Sequence, residues 1–191
     1  MPKRTKTASS LERLKEGNKR YASDSPQYAG HGSDSRKSLV EGQKPFVAVL
    51  SCADSRVVPE LAFDAGLGEL FVVRVAGNIA TDEAIASLEY CVAHLGVKLI
   101  VVLGHQNCGA VAAALAGGDN GRYLNQLVSH IQPAVAKPSG KDDPTKLRNA
   151  VKKNAKLTAK SLAELSPILG KKSVEIVASY YHLDSGKVDF L

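Results

Sequence analysis

Short apolar runs alternate with stretches of helical periodicity over most of the chain. The runs are rich in Val, Ile and Leu, and each has the length expected of a strand that is buried on both faces of a sheet. Four of them lie at residues 46–50, 70–75, 99–103 and 174–179. A shorter strand is predicted at residues 187–191, because the turn-forming sequence Asp184-Ser185-Gly186 precedes it. The pattern thus predicts a sheet of four buried strands and one short strand.

Helices are predicted between and around these strands. In the clearest case Thr81 or Asp82 caps a helix, and one face of that helix stays apolar until a glycine ends it. Near the N-terminus, Ser9 or Ser10 caps a helix with an apolar stripe. The segment 22–38 is rich in Ser, Gly and Asp, so we predict an irregular connection there. The remaining predicted helices cover residues 58–64, 110–116, 123–135 and 144–165.

The alternation of strands and helices predicts the fold class. It is typical of a single α/β domain with a mostly parallel central sheet flanked by helices. We expect the strand order 2-1-3-4 plus a short edge strand. Residues 1–38 are predicted to form an N-terminal helix and an extended arm, with the helix packing on a partner subunit. Residues 39–191 are predicted to form the α/β domain.

Three potential metal ligands follow two of the predicted strands. Cys52 comes just after the first strand, and His105 and Cys108 come just after the third, in the sequence Gly-His-x-x-Cys-Gly. Because the first and third strands are predicted neighbours, their carboxyl ends bring the three side chains together. Two thiolates and an imidazole form a ligand set that zinc prefers, and three protein ligands leave a tetrahedral zinc one open position for water. The sequence therefore predicts a catalytic site with one Zn²⁺ per subunit, and it predicts that residues 39–191 are the α/β zinc-binding catalytic domain.

A carboxylate and a guanidinium lie close to the first ligand in sequence. Asp54 and Arg56 directly follow Cys52 in the segment Cys-Ala-Asp-Ser-Arg. We predict that this pair controls what occupies the open position on zinc, since a structural zinc site needs nothing to hold a carboxylate away from the metal. The remaining cysteine, Cys91, lies beside the apolar stripe of a predicted helix, and we predict a structural role for it.

Composition narrows the class of protein further. The chain has 191 residues, of which 44% are apolar, and this is enough for one well-filled core. Three cysteines are an odd number and argue against a disulfide framework, so we expect a cytoplasmic location. Residues 137–172 account for the net charge of +6, because they hold ten Lys or Arg against three acidic residues. This segment contains no aromatic residue, so we expect no nucleic-acid partner. The sequence has no apolar stretch long enough to cross a membrane, so we expect no membrane partner.

Two motifs make the chain resemble the β-class carbonic anhydrases. The first motif of that family, Cys-x-Asp-Ser-Arg, matches residues 52–56, and the second, His-x-x-Cys-Gly, matches residues 105–109. The interval between the motifs also fits the family. The similarity extends through residues 71–78 and 87–90, and it covers nearly all of residues 9–191. Such a combination of motifs and spacing is highly specific.

The resemblance implies a role for each residue that matches a motif. Cys52, His105 and Cys108 take the roles of zinc ligands. Asp54 and Arg56 take the role of a catalytic dyad. In that dyad the arginine holds the carboxylate away from the metal, and the carboxylate accepts a hydrogen bond from zinc-bound water. When the arginine releases it, the carboxylate could bind zinc as a fourth ligand and switch the enzyme off.

Four further residues match family positions that contact the substrate, carbon dioxide or bicarbonate. Gln43 matches a substrate-binding glutamine, and the backbone N–H of Gly109 is a further candidate donor. Phe71 and Tyr90 match pocket-lining aromatic residues that can come from across a dimer interface. Two plainer interpretations stay open, namely a surface position for Gln43 and ordinary core packing for the two aromatic residues.

The family also implies an activity and an assembly. The activity is the zinc-dependent, reversible hydration of carbon dioxide to bicarbonate and a proton by attack of zinc-bound hydroxide. The assembly is a homo-oligomer, either a dimer or a dimer of dimers. Two alternatives to this activity stay open. One is hydrolysis of carbon disulfide or carbonyl sulfide at the same zinc site, and the other is a non-catalytic module that zinc stabilises.

Overall fold

One five-stranded sheet forms the centre of the computed structural model, which describes residues 9–27 and 29–191. The strands are β1 (Val47–Ser51), β2 (Leu70–Arg74), β3 (Leu99–His105), β4 (Glu175–Tyr181) and β5 (Val188–Phe190). Their order in the sheet is β2-β1-β3-β4-β5, in which the first four strands are parallel and β5 is antiparallel to β4. The predicted α/β fold and the predicted strand order with its short edge strand are confirmed.

Eight α-helices surround this sheet within the described residues. They are α1 (Ser10–Ala22), α2 (Ser33–Ser38), α3 (Pro59–Ala62), α4 (Asp82–Leu95), α5 (Gly109–Ala116), α6 (Arg122–Ser129), α7 (Gln132–Val135) and α8 (Asp143–Leu165). The ends of α4 follow the predicted signals. The Thr81 hydroxyl accepts a hydrogen bond from the backbone N–H of Ala84, and Gly96 closes the helix in the left-handed conformation with φ of 73°.

The core lies on both faces of the sheet because β1 and β3 are buried along their whole length. Alternate residues of these strands point to opposite faces. On one face Val49 and Leu103 pack near Leu14 of α1, and on the other face Leu50 packs near Leu88 of α4. A third cluster lies beyond the carboxyl ends of the strands, and it contains apolar residues of α5, α7 and α8.

Two predicted elements differ from the observed ones. The predicted irregular segment 22–38 contains the six-residue helix α2, which has no buried residue and therefore no apolar stripe for a sequence pattern to reveal. The predicted helix 123–135 is divided into α6 and α7. Pro133 lies in the first turn of α7, and a proline cannot continue a helix because it lacks an N–H and clashes with the preceding turn.

The N-terminal helix α1 packs on its own chain. Leu14 is fully buried, and the amide nitrogen of Asn18 donates to the carbonyl oxygens of Ala62 and Gly186. At the start of α1, Ser9 and Glu12 form a capping box. A single chain does not test the predicted contact of this helix with a partner subunit, so that contact and the division at residue 38 stay predictions. In the part of the chain that is described, every helix is too short or too polar to cross a membrane.

Candidate metal centre

Cys52, His105 and Cys108 converge at the carboxyl edge of the sheet. Cys52 directly follows β1, His105 is the last residue of β3, and Cys108 is the N-cap of α5. Because β1 and β3 are neighbouring parallel strands, they end at the same edge. One ligand atom from each of the three residues lies within 4.8 Å of the others, and all three residues are buried. The fold therefore gathers the three predicted ligands.

The hydrogen bonding of His105 defines which ring nitrogen faces the cluster. Its Nδ1 lies 2.9 Å from the carbonyl oxygen of Gln106. A carbonyl oxygen only accepts, so Nδ1 carries the hydrogen and Nε2 carries a lone pair. Nε2 is buried and has no hydrogen-bond partner. Since buried polar atoms are nearly always paired, a lone pair left open beside two sulfur atoms fits a metal ligand.

The two thiols of the cluster shift each other's pKa in opposite directions. A hydrogen bond from Cys108 is the main reason why the pKa of Cys52 is lowered to about 4, and His105 and the N–H of Gly77 act in the same direction. The pKa of Cys108 is raised, first by its hydrogen bond to the Cys52 thiolate and then by burial. A dication bound between the sulfur atoms would stabilise both as thiolates, so this donor set also fits a metal.

Asp54 is held beside the cluster by Arg56. The guanidinium donates from Nε to Oδ1 over 2.9 Å and from Nη2 to Oδ2 over 2.8 Å, and the backbone N–H of Arg56 also donates to Oδ1. The Arg56 guanidinium holds the pKa of the Asp54 carboxyl well below its usual range. Oδ2 of Asp54 lies 3.9 Å from Nε2 of His105. An ionised carboxylate therefore lies beside the unpaired Nε2 of the cluster.

Arg74 also supports this loop, a role that the sequence analysis missed. It donates from Nε to the carbonyl oxygen of Cys52 over 3.0 Å and from Nη2 to that of Asp54 over 2.6 Å. Arg74 is the last residue of β2 and lies in register with Ser51 at the end of β1. The sequence shows only a charged residue at the end of an apolar strand. The pairing of β1 with β2 places this residue beside the loop that follows β1, where it binds the backbone.

The predicted substrate-binding residues are divided between two places. Gly109 is the first residue of α5, so its N–H has no partner within the helix, and a Cβ built there would meet no atom within 4 Å. Gln43 is exposed and precedes β1, whereas Cys52 follows it. Phe71 lies in register with Ala48 of β1, four residues and about 13 Å along the strand from Cys52.

The fourth predicted contact residue, Tyr90, is 48% exposed on α4, and its ring centroid lies 6.4 Å from that of Phe71. Within one chain, therefore, Gly109 lies at the cluster, and Gln43, Phe71 and Tyr90 lie away from it. A second subunit would have to bring these three side chains to the site. The single chain does not test that arrangement, so the three roles stay predictions.

Sequence comparisons relate the chain to known enzymes. A family profile described as "Carbonic anhydrase" matches residues 47–188. Carbonic anhydrase 2 of Mycobacterium tuberculosis is 40% identical over 191 residues, which cover 96% of this chain and 92% of that protein. The carbonic anhydrase of Mycolicibacterium smegmatis is 36% identical over 184 residues, which cover 92% of this chain and 89% of that protein.

Solved structures with a similar fold include further carbonic anhydrases. The β-carbonic anhydrase of Coccomyxa, solved in complex with acetazolamide, superposes with a TM-score of 0.75 at 27% identity and covers 96% of this chain and 87% of its own. A tetrameric β-carbonic anhydrase of Sordaria macrospora has a TM-score of 0.75 at 25% identity and covers 82% of this chain and 85% of its own. With these matches and the cluster at the sheet edge, the chain belongs to the β-class carbonic anhydrase family.

Proposed function

We propose that this protein catalyses the reversible hydration of carbon dioxide to bicarbonate and a proton, with a zinc ion held by Cys52, His105 and Cys108. One observation carries this proposal. The buried, unpaired Nε2 of His105 lies within reach of two sulfur atoms, and the carboxylate of Asp54 lies 3.9 Å from it. Membership of the carbonic anhydrase family supports the choice of reaction.

The donor atoms favour zinc among the common metals. Two thiolates and one imidazole are soft and intermediate ligands that suit zinc, whereas magnesium and calcium prefer oxygen ligands. With three protein ligands, a bound zinc ion has a free position, where it supplies the Lewis-acid chemistry that makes water nucleophilic at neutral pH.

Asp54 and Arg56 orient the reacting water. A carboxylate only accepts hydrogen bonds, so ionised Asp54 fixes the direction of an O–H bond and leaves the oxygen lone pair directed at the substrate. Arg56 makes two parallel contacts with this carboxylate, which keep it ionised and prevent its rotation. Asp54 therefore acts on the water, and Arg56 keeps the Asp54 carboxylate away from the metal position.

Gly109 supplies a place for the substrate oxygen. Its N–H belongs to the first turn of α5, where backbone donors have no partner within the helix, and the space beside it is open. A substrate oxygen that carries developing negative charge would be stabilised there by the helix N-terminus. We propose that Gln43, Phe71 and Tyr90 complete the pocket from a partner subunit. The tetrameric enzyme of Sordaria macrospora supports a homo-oligomer here.

We also propose a cytoplasmic location. All three cysteines of the chain are free thiols. Free thiols together with an odd cysteine count are typical of a reducing compartment.

A hydration assay with matched cysteine variants tests the proposed activity. Zinc-loaded wild-type protein and the variants Cys52→Ser and Cys91→Ser are mixed with carbon dioxide in a stopped-flow instrument, and zinc content is measured on each. We expect rapid hydration by the wild type and Cys91→Ser, and loss of both zinc and hydration in Cys52→Ser. The same proteins are assayed with carbon disulfide and carbonyl sulfide. Negligible hydration beside rapid sulfide release by the zinc-loaded wild type would contradict the proposal.

A further inference from the structure

Gly77 is hydrogen-bonded through both of its backbone polar groups, and one of these bonds goes to the metal centre. Its backbone N–H donates to Sγ of Cys52 over 3.3 Å. Its carbonyl oxygen accepts a hydrogen bond of 2.8 Å from Nδ2 of Asn154, which lies in the middle of α8 and is separated from Gly77 by 77 positions in the sequence. A continuous path of two hydrogen bonds therefore joins α8 to a predicted zinc ligand.

The backbone of Gly77 has little conformational freedom. Gly77 has a φ of 74°, and Asn78 also has a positive φ, of 46°. A Cβ on Gly77 would lie 2.7 Å from the side chain of Ile131 and 3.3 Å from that of Ala110. The residue is thus confined by close packing and by a conformation that favours glycine. Asn154 holds the carbonyl oxygen on one side of the Gly77 Cα, and the confined backbone angles of Gly77 carry this restraint to the N–H on the other side.

Helix packing alone gives no reason for an amide at position 154. Asn154 is 2% exposed, and its neighbours on the buried side of α8 include Val151, Ala155 and Leu162. A leucine at this position would suit such a surface, whereas a buried amide destabilises the fold unless it is hydrogen-bonded. The bond from Asn154 to Gly77 is the feature that a leucine could not supply.

We infer that Asn154 is a positioning residue of the metal centre, which aims the Gly77 N–H at the Cys52 sulfur. An N–H donor withdraws electron density from a thiolate and fixes the direction of its lone pairs, so it sets both the affinity and the electronic character of the metal–sulfur bond. This inference rests on the proposed metal site. It assigns to α8, which contributes no ligand, a part in holding the metal.

Cobalt binding tests the inference without any activity measurement, because cobalt–thiolate bonds give charge-transfer absorption bands. The variants are Asn154→Leu and Asn154→Ala. The matched control is Asn149→Leu, since Asn149 lies on the same helix and donates over 2.9 Å to the carbonyl oxygen of Ser139, away from the cluster. Cobalt affinity is measured by competition with a chelator, and thermal unfolding of each metal-free protein is recorded alongside.

We expect the Asn154 variants to bind cobalt at least about tenfold more weakly than the control, with the sulfur-to-cobalt band moved to longer wavelength. Wild-type band positions and affinities in both variants, with only a lower unfolding temperature, would overturn the inference and leave Asn154 a structural residue. Failure of the wild type to bind cobalt would instead overturn the metal site itself. The two failures are therefore distinguishable.

A measurement on the wild type alone removes any dependence on how the variants fold. In the cadmium-113 form of the ¹⁵N-labelled protein, the hydrogen bond to Cys52 should produce a scalar coupling between the Gly77 amide proton and the metal. Amide protons without a bond to a ligand sulfur serve as internal controls. A Gly77 signal without this coupling would overturn the inference.

Discussion

Two buried polar side chains, Asn18 and His105, contrast two regions of the molecule. Asn18 lies where α1 meets β5, and it makes three hydrogen bonds of 2.8 to 2.9 Å, to the carbonyl oxygens of Ala62 and Gly186 and from the N–H of Val188. His105 lies at the carboxyl edge of the sheet, where Nδ1 is paired and Nε2 is buried with no partner. In the first region every polar atom of the side chain has a partner within the chain, whereas in the second one ring nitrogen has none.

This difference distinguishes a buried polar side chain that stabilises the fold from one that serves the candidate site. An unpaired buried polar atom destabilises a fold by about 1–3 kcal/mol, so a protein retains one where something else depends on it. Asn18 joins distant segments, and its bonds explain its burial completely. His105 is explained only when the two sulfur atoms beside it are considered. Substitutions in both regions test the contrast, and the largest effect is expected at the metal cluster.

His105→Ala should have the largest effect on metal binding. We expect zinc affinity to fall by more than about 100-fold, because removing a ligand weakens metal binding more than changing a residue that only supports a ligand. A competition titration with a chromogenic chelator measures this. The comparison is with Asn18→Ala, which removes a polar side chain of similar burial. Equal zinc affinities in the two variants would erase the contrast.

Arg56→Gln should lower activity and leave the metal in place. We expect the hydration rate to fall by about 100-fold, because Asp54 loses the two contacts that keep it ionised and away from the metal position. Zinc content should stay at one per chain. Arg36→Gln, at an exposed position of α2, is the matched control. Unchanged hydration in Arg56→Gln would remove the dyad from the mechanism.

Asn18→Ala should affect stability alone. We expect the free energy of unfolding to fall by about 3 kcal/mol, because two carbonyl oxygens and one N–H lose their partner. Chemical denaturation of the metal-free protein measures this, with Asn149→Ala as a control that breaks an exposed bond. Zinc affinity of the folded variant should equal that of the wild type. A weakened zinc site would show that the two regions are coupled.

Cys91→Ala should have the smallest effect. Burial raises the pKa of the Cys91 thiol to about 12. Cys91 belongs to α4 and packs within the apolar cluster between that helix and the sheet. The group is neutral at any pH well below that value, so it is a poor nucleophile and a poor ligand. We expect zinc content to be unchanged and stability to fall by about 1 kcal/mol. Rapid alkylation of Cys91 in the native protein at pH 8 would contradict this interpretation.

The sequence was sufficient to predict what depends on local patterns. Buried parallel strands leave apolar runs, and ligands at their ends follow directly, so the strand order and the convergence of Cys52, His105 and Cys108 could be predicted. The hydrogen bonds of Arg74 and Asn154 could not be predicted, because each needs a partner that only the folded chain brings near. The exposed helix α2 has no buried residue and gave no pattern to detect.

X-ray absorption at the zinc edge tests whether Cys52, His105 and Cys108 hold the metal. It reports the atoms bound to the metal in the wild-type protein in solution. We expect two sulfur atoms at about 2.3 Å and one imidazole nitrogen at about 2.0–2.1 Å, with a light atom in the fourth position. A spectrum with one sulfur or none, or without the imidazole, would contradict the assignment of zinc to Cys52, His105 and Cys108.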